Sequence, residues 1–379
     1  MNRVYLDWNA TTPPLPSVIE AMSNASREAW GNPSSVHAVG RAARAVVEDA
    51  REAVARLAQC DPRDVVLTSG GTEANNLALR SAFASRTGTL IASRLEHPSI
   101  TRVAEALERE GRARVHWARV RADGCIDLDD VERALSAGDV RLVTLQAANA
   151  ETGVLQPVST LLDMARKAAI RVHVDAVQTF GRSDDVAFGA DTRSLAGHKL
   201  RGPKSIGALI ARSGIELAPV MVGGAQERGL RPGTTDPVAA AGLGAAARHA
   251  LDSTARWRRL EPLRDEIEAA LLSFAQGARV NGQSAPRMPH VTNIAFPGWL
   301  GPELVAALDL EGVAVSAGSA CSAGTAEPSS VLLAMGDAQA AAASVRFSLG
   351  EETCASDLAV AIAAAERVLA RSPATRGRP

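Results

Sequence analysis

From about residue 40 the chain alternates between helical and extended patterns. Val46, Val47, Ala50, Val54 and Leu57 recur at helical spacing across 41–57. Asp64-Val-Val-Leu-Thr68 then reads as a short buried strand. Ser69-Gly-Gly-Thr-Glu73 follows it and leads into a second helix. Further strands are predicted at 90–92, 140–145, 172–175 and 206–210, with helical stretches near 101–110, 128–135 and 158–169 between most of them. Strands alternating with helices imply an α/β fold whose mainly parallel sheet is covered on both faces.

After about residue 255 the texture changes. Charged helices over 256–274 lead to a strand at 291–296, a helix at 303–310, strands at 313–316 and 344–349, and a closing helix. This pattern reads as a smaller α+β domain. At 379 residues the chain exceeds one compact core. The expected division is a large domain over 14–254 and a small domain built from 1–13 and 255–379. The alanine-rich stretches 239–247 and 338–343 fit helix, and the tail after 372 is expected to fray.

Bulk composition mainly removes possibilities. A formal net charge of −1 gives no electrostatic reason to expect nucleic acid or an anionic membrane as partner. With 3% aromatic residues, stacking platforms for single strands are not expected either. The amino terminus has no signal-like apolar stretch and no later run is long enough to span a bilayer, so a cytoplasmic location is expected. Cys60, Cys125, Cys321 and Cys354 are scattered without metal-ligand spacing, so no structural metal is expected.

Lysine is scarce. Of 41 basic residues only Lys167, Lys199 and Lys204 are lysines. Arginine cannot form a Schiff base because its guanidinium stays protonated, so an amine that attacks a carbonyl must remain lysine. Two of the three lie in Leu195-Ala-Gly-His-Lys-Leu-Arg-Gly-Pro-Lys204. In an open α/β sheet ligands bind beyond the carboxyl ends of the strands, and other candidate groups fall there. Ser69-Gly-Gly-Thr72 is either a tight turn or a phosphate cradle at a helix N-terminus. It is neither G-x-G-x-x-G nor a Walker A sequence. Asp175 ends an apolar strand, either as a helix N-cap or as a ligand for a cationic group, with Gln178 three residues later. Phosphate loop, acid and amine together match what pyridoxal phosphate requires: a lysine for its aldehyde, a helix end for its phosphate, an acid for its ring nitrogen. His97 in Glu96-His-Pro98 is either a satisfied loop histidine or a group that stacks on the cofactor or shuttles a proton.

Two features lie outside the large domain. Ser316-Ala-Gly-Ser-Ala-Cys-Ser-Ala-Gly-Thr325 is small, polar and glycine-rich, and places Cys321 on an accessible stretch where a thiolate could reach substrate. The bland alternative is an inconsequential surface cysteine. Arg346 alternates with Val345 and Phe347, so it faces away from them. It is either solvent-facing or a bidentate clamp for a carboxylate.

With these residues in place the sequence resembles the cysteine desulfurases of the NifS/IscS type, in the class-V aminotransferase group of fold-type I pyridoxal-phosphate enzymes. The similarity runs nearly end to end. It rests on Tyr5-Leu-Asp-Trp-Asn-Ala-Thr-Thr12, Gly31-Asn-Pro-Ser-Ser-Val-His37, Thr68-Ser-Gly-Gly-Thr-Glu-Ala-Asn-Asn76, Glu96-His-Pro98, His173-Val-Asp-Ala-Val-Gln178 and Gly197-His-Lys199. It continues through Gln226-Glu-Arg-Gly-Leu-Arg231 with Gly233-Thr234, Ser319-Ala-Cys321 and Val345-Arg-Phe-Ser-Leu-Gly350.

The resemblance implies a seven-stranded sheet in the large domain and a cysteine loop at 316–328 in the small one. It implies Lys199 as the Schiff-base lysine, Asp175 as partner of the pyridine nitrogen, Gln178 as donor to the phenolic oxygen and His97 stacked on the ring. Gly71, Thr72 and His198 would bind phosphate, joined by Thr234 from the second subunit of a homodimer. Arg346, with Asn32, would hold the carboxylate of L-cysteine. Cys321 would take the sulfur as a persulfide, leaving alanine, and pass it to a sulfur-acceptor or iron–sulfur scaffold protein; it would also be a transient iron–sulfur ligand.

The chain departs from that pattern in several places. Ala147-Ala-Asn-Ala-Glu151 replaces His-x-Asn-Asn-Glu, so Ala150 stands where an Asn would contact the phenolic oxygen. Ala196 replaces a serine, Gly223-Gly-Ala225 a triple glycine, and Trp8 a common Asn. Each lost neutral hydrogen bond costs about 0.5–1.5 kcal/mol. Two other readings keep the fold: an aminotransferase or selenocysteine lyase, which needs no loop thiol, and a cofactor-poor scaffold for sulfur carriers.

Overall fold

The computed structural model describes residues 3–184, 187–318 and 328–371. Its twelve strands, among the described residues, are β1 (Val4–Tyr5), β2 (Val65–Thr68), β3 (Gly88–Ser93), β4 (Ala113–Ala118), β5 (Val140–Gln146), β6 (Arg171–Asp175), β7 (Thr192–Ala196), β8 (Gly207–Ala211), β9 (Arg279–Val280), β10 (Val291–Ala295), β11 (Val313–Ala314) and β12 (Ser344–Ser348). Seven form one sheet in the order β2-β8-β7-β6-β5-β3-β4. Only β8 runs against its neighbours; the pairings from β7 to β4 are all parallel. The expected α/β fold with a mainly parallel sheet is what the structure shows.

Two strands of this sheet were not anticipated, nor were the two-residue strands β1 and β9 outside it. β4 is a sheet edge, and its Arg114 and His116 break the apolar run. β7 is wholly buried yet carries Arg193, whose guanidinium lies over the Phe180 and Phe188 rings and donates to the Ala58 carbonyl at 2.8 Å. A buried cation held against rings and a carbonyl escapes any rule that equates burial with apolar character.

The helix Ala38–Ala58 begins where His37 accepts from the Gly40 amide, and ends at Gln59 in the left-handed region. It buries Val47, Ala50 and Val54 against the Ala/Gly-rich helix Pro237–Ala250. The approach is close: a Cβ on Gly244 would sit 3.0 Å from the Ala50 Cα. A second core gathers Val4, Leu6 and Trp8 from the amino terminus with Trp257, Ile294 and Phe347. There β10 lies between β12 and β9, and β1 pairs with β11. The first strand thus packs with the carboxyl-terminal core, and residues 7–12 cross from it to the large sheet.

Shared strand direction has one functional consequence. The carboxyl ends of β2, β3, β5, β6 and β7 all open at the same sheet edge, where ligands of α/β folds bind.

Gly350 abuts the Trp8 indole so closely that a Cβ there would overlap the ring. Gly350→Ala is therefore expected to cost about 1–3 kcal/mol through overpacking. Thermal unfolding should show a lowered midpoint, and the double variant with Trp8→Leu should recover part of it.

Candidate active site

The strand ends surround a solvent-open cleft. Of the residues singled out from the sequence, Gly71, Thr72, His97, Asp175, Gln178, His198, Lys199 and Arg346 line it together. Asn32 and Thr234 do not. Both are exposed, and the Asn32 side chain accepts from the Ser34 amide at 2.9 Å. Lys204 is exposed as well. Cys321 lies outside the described residues.

The floor is a hydrogen-bond chain centred on a residue whose role the sequence did not disclose. Asn75 Nδ2 donates to Asp175 Oδ2 at 2.8 Å and to Ser99 Oγ at 2.8 Å. Its Oδ1 faces His173 Nε2 at 3.0 Å. Donor and acceptor roles then propagate. His173 carries its proton on Nε2. Ser99, accepting from Asn75, turns its hydroxyl to His97 Nδ1 at 2.7 Å, where the Ser99 amide also donates at 3.1 Å. His97 Nδ1 is therefore an acceptor, which leaves Nε2 protonated in the neutral ring. Asp175 Oδ1 accepts from the Val177 amide at 3.0 Å, so both carboxyl oxygens are fixed. Glu96 is buried nearby, where burial and then the Asp175 charge push its pKa well up and favour the neutral acid.

Lys199 closes a short turn after β7. Its Nζ donates to the carbonyls of Asn9 and Ala10, the latter at 2.8 Å, so the crossing segment 7–12 holds the amine. The same segment holds His198, whose carbonyl accepts from Thr12 Oγ1 at 2.8 Å and whose Nδ1 lies 3.1 Å from Thr11 Oγ1. Burial first, then the Lys199 charge, lowers the His198 pKa to about 3, so it is a neutral hydrogen-bonding group.

No side chain caps the helix Gly71–Ala82, which leaves its first-turn amides open to an anion. Gly70 has φ 147° and open space where a Cβ would be. Gly207 on β8 lets this loop pass, since a Cβ there would come within 2.7 Å of the Gly70 Cα.

Arg346 is buried rather than solvent-facing. Its Nη2 lies 2.5 Å from Asp7 Oδ1 and its Nη1 donates to the Ala150 carbonyl at 3.0 Å. Ala150 and Ala196 both line the cleft, so the two departures from the desulfurase pattern give it apolar wall where amide and hydroxyl would stand.

The donor set fits pyridoxal phosphate. An amine, a fixed carboxylate, an uncapped helix end beside a glycine cradle and an imidazole face one cleft.

Burial lowers the His173 pKa to about 4 and the His198 pKa to about 3. An unfolded chain binds these protons near pH 6.5. Folding stability is therefore fully present above pH 6.5 and is lost as the pH falls toward 4, at about 1.4 kcal/mol per unit per histidine. Urea unfolding between pH 7 and 4 should show this slope, and His173→Gln should flatten it.

Comparison with known proteins agrees with this geometry. The family described as Aminotransferase class-V matches residues 4–360. A cysteine desulfurase of Cereibacter sphaeroides is 40% identical over 365 residues, covering 94% of this chain and 93% of that one. A solved NifS-like protein superposes with a TM-score of 0.89 at 31% identity, covering 97% of this chain and all of that one. The solved structure described as SspA in complex with cysteine superposes at 0.80 with 32% identity, covering 91% and 98%. The matching family is pyridoxal-phosphate-dependent. With a match over nearly its whole length, the chain belongs to the class-V aminotransferase family.

Proposed function

We propose that this protein is a cysteine desulfurase that converts L-cysteine to L-alanine and carries the released sulfur as a persulfide on Cys321. The observation that carries the reading is the single cleft shared by Lys199, Asp175 and Arg346, in a chain whose relatives named above include a cysteine desulfurase and a protein solved with cysteine. Lys199 would hold the cofactor, Asp175 would pair with its ring nitrogen, and the amides after Gly70 with Thr72 and His198 would hold its phosphate. When bound, pyridoxal phosphate supplies an electron sink for the substrate's carbon atoms.

The chain's own groups do the rest. Arg346 supplies the positive charge that the substrate carboxylate requires, in a buried position where charge-assisted bonds are strong. Lys199 Nζ takes and returns protons at the substrate's carbon as general base and acid. His97, with Nδ1 committed to Ser99, presents Nε2 for proton transfer or for stacking. The Cys321 thiolate attacks the substrate's sulfur, forming an S–S bond as the substrate's C–S bond breaks. A protein thiol or an iron–sulfur scaffold protein then takes the terminal sulfur.

The alternatives gain no support. An aminotransferase or selenocysteine lyase would not need a thiol in the glycine-rich loop, and the relatives point to cysteine. A cofactor-poor scaffold would not need the amine, acid and helix end that this cleft retains.

The protein is further proposed to act as a homodimer. Thr234 is exposed and does not line its own chain's cleft, and the exposed apolar residues Trp30, Val36 and Val222 are candidates for a covered face. Light scattering should give twice the chain mass, and Thr234→Ala should weaken cofactor retention.

Incubation with L-cysteine and reductant should release alanine and sulfide from the wild type. Cys321→Ala and Lys199→Ala should each lose at least about a hundredfold. Full activity in either variant overturns the mechanism.

A further inference from the structure

Arg182 is fully buried, yet among the described residues it forms no salt bridge. Its Nη1 donates to Gln178 Oε1 at 3.0 Å and to Asn9 Oδ1 at 3.1 Å, and its Nη2 donates to the Lys199 carbonyl at 2.6 Å. Its guanidinium carbon lies 4.6 Å from the centre of the Trp257 ring. Burial pushes its pKa down to about 9, which still leaves it charged at neutral pH. A buried cation without a direct salt bridge is costly, and the Glu351 charge offsets only part of the burial. All three of its partners are neutral oxygens at the back of the cleft.

The chemistry of the guanidinium dictates what those partners can do. It has five donors and no acceptor. The Gln178 amide must therefore turn its oxygen toward Arg182, which places Nε2 on the other side. That nitrogen has two hydrogens, and one is used by the Asn9 carbonyl at 3.3 Å. Gln178 itself lines the cleft. An amide free to rotate would present oxygen or nitrogen to a ligand with similar ease, whereas this one is held in one orientation. Asn9 Oδ1 is held the same way, since it also lies 2.9 Å from His290 Nε2.

We propose that Arg182 is a positioning residue that locks the Gln178 amide with its NH2 group toward the cleft, so that Gln178 donates to the phenolic oxygen of bound pyridoxal phosphate. The inference rests on the cofactor reading above. It gains weight from Ala150, which has no side-chain amide to offer that oxygen.

A double-mutant cycle tests it. Apoprotein of wild type, Arg182→Lys, Gln178→Ala and the double variant is titrated with pyridoxal phosphate. The dissociation constant and the pH midpoint of the bound cofactor's visible absorption band are recorded. Lysine keeps the charge but lacks the planar fork. Arg182→Lys should weaken binding by about tenfold and move the midpoint, and in the Gln178→Ala background it should do neither. Gln178→Glu adds a second check. It keeps an acceptor for Arg182 but loses the donor, so the fold should stay stable while the midpoint moves. Effects of Arg182→Lys that persist undiminished without the Gln178 amide overturn the proposal, as does an unmoved midpoint in Gln178→Glu. If wild-type protein forms no visible band at all, the cofactor reading itself fails.

Discussion

Asn75 has two amide hydrogens and one carbonyl oxygen, and the floor of the cleft uses all of them. That one side chain sets the direction of every hydrogen bond from His173 to His97. Were its amide reversed, two donors would face His173 and a carbonyl would face the Asp175 carboxylate. In a buried setting each such mismatch costs about 1–3 kcal/mol. The floor is therefore rigid because it is polar and fully committed. The cofactor's ring nitrogen would meet a carboxyl group already aimed, with little left to reorganise.

The opposite wall depends on the segment from Asp7 to Thr12. This short crossing piece contributes Asp7 to Arg346, the Asn9 side chain to Arg182 and His290, two carbonyls to Lys199, and Thr11 and Thr12 to His198. It also begins in the core that contains β12, on which Arg346 sits. The amine proposed for the cofactor and the cation proposed for the substrate are thus tied to one stretch of backbone. A shift in the small core would reach both groups through it.

How legible this was in the sequence depends on whether a residue's role is set locally. Beyond residue 40 the helices and most strands of the large sheet carry their period within a dozen residues, and they lie where that period puts them; the helix Pro16–Glu28 was not anticipated. β4 and β7 were missed because Arg114 and Arg193 interrupt the apolar pattern, one at an exposed edge and one buried against rings and a carbonyl. Lys199 could be found because arginine, which replaces lysine almost everywhere else, cannot do its chemistry. Asp175 and the glycine loop stood out at strand ends. Asn75 did not, because its importance comes from a contact with a residue 100 positions away. Arg182 hid in plain sight among many arginines. It is buried among neutral hydrogen-bond acceptors at the back of the cleft, and no spacing shows that.

The departures at Ala150 and Ala196 look at first like damage to the site, but their backbone surroundings argue otherwise. The Ala150 carbonyl accepts from Asn9 Nδ2 at 3.0 Å and from Arg346 Nη1 at 3.0 Å. The loop that would carry a cofactor-binding amide is therefore still held in place by the substrate-side arginine and the crossing segment. What has gone is one side-chain donor, while the scaffold that aimed it remains. With that donor absent, the polar contact on this side of the cleft falls to Gln178. Its direction is imposed by a buried cation that also holds the Lys199 carbonyl and the Asn9 side chain. The missing amide and the buried arginine are then two parts of one arrangement: fewer donors toward the cofactor, with the remaining one held more firmly.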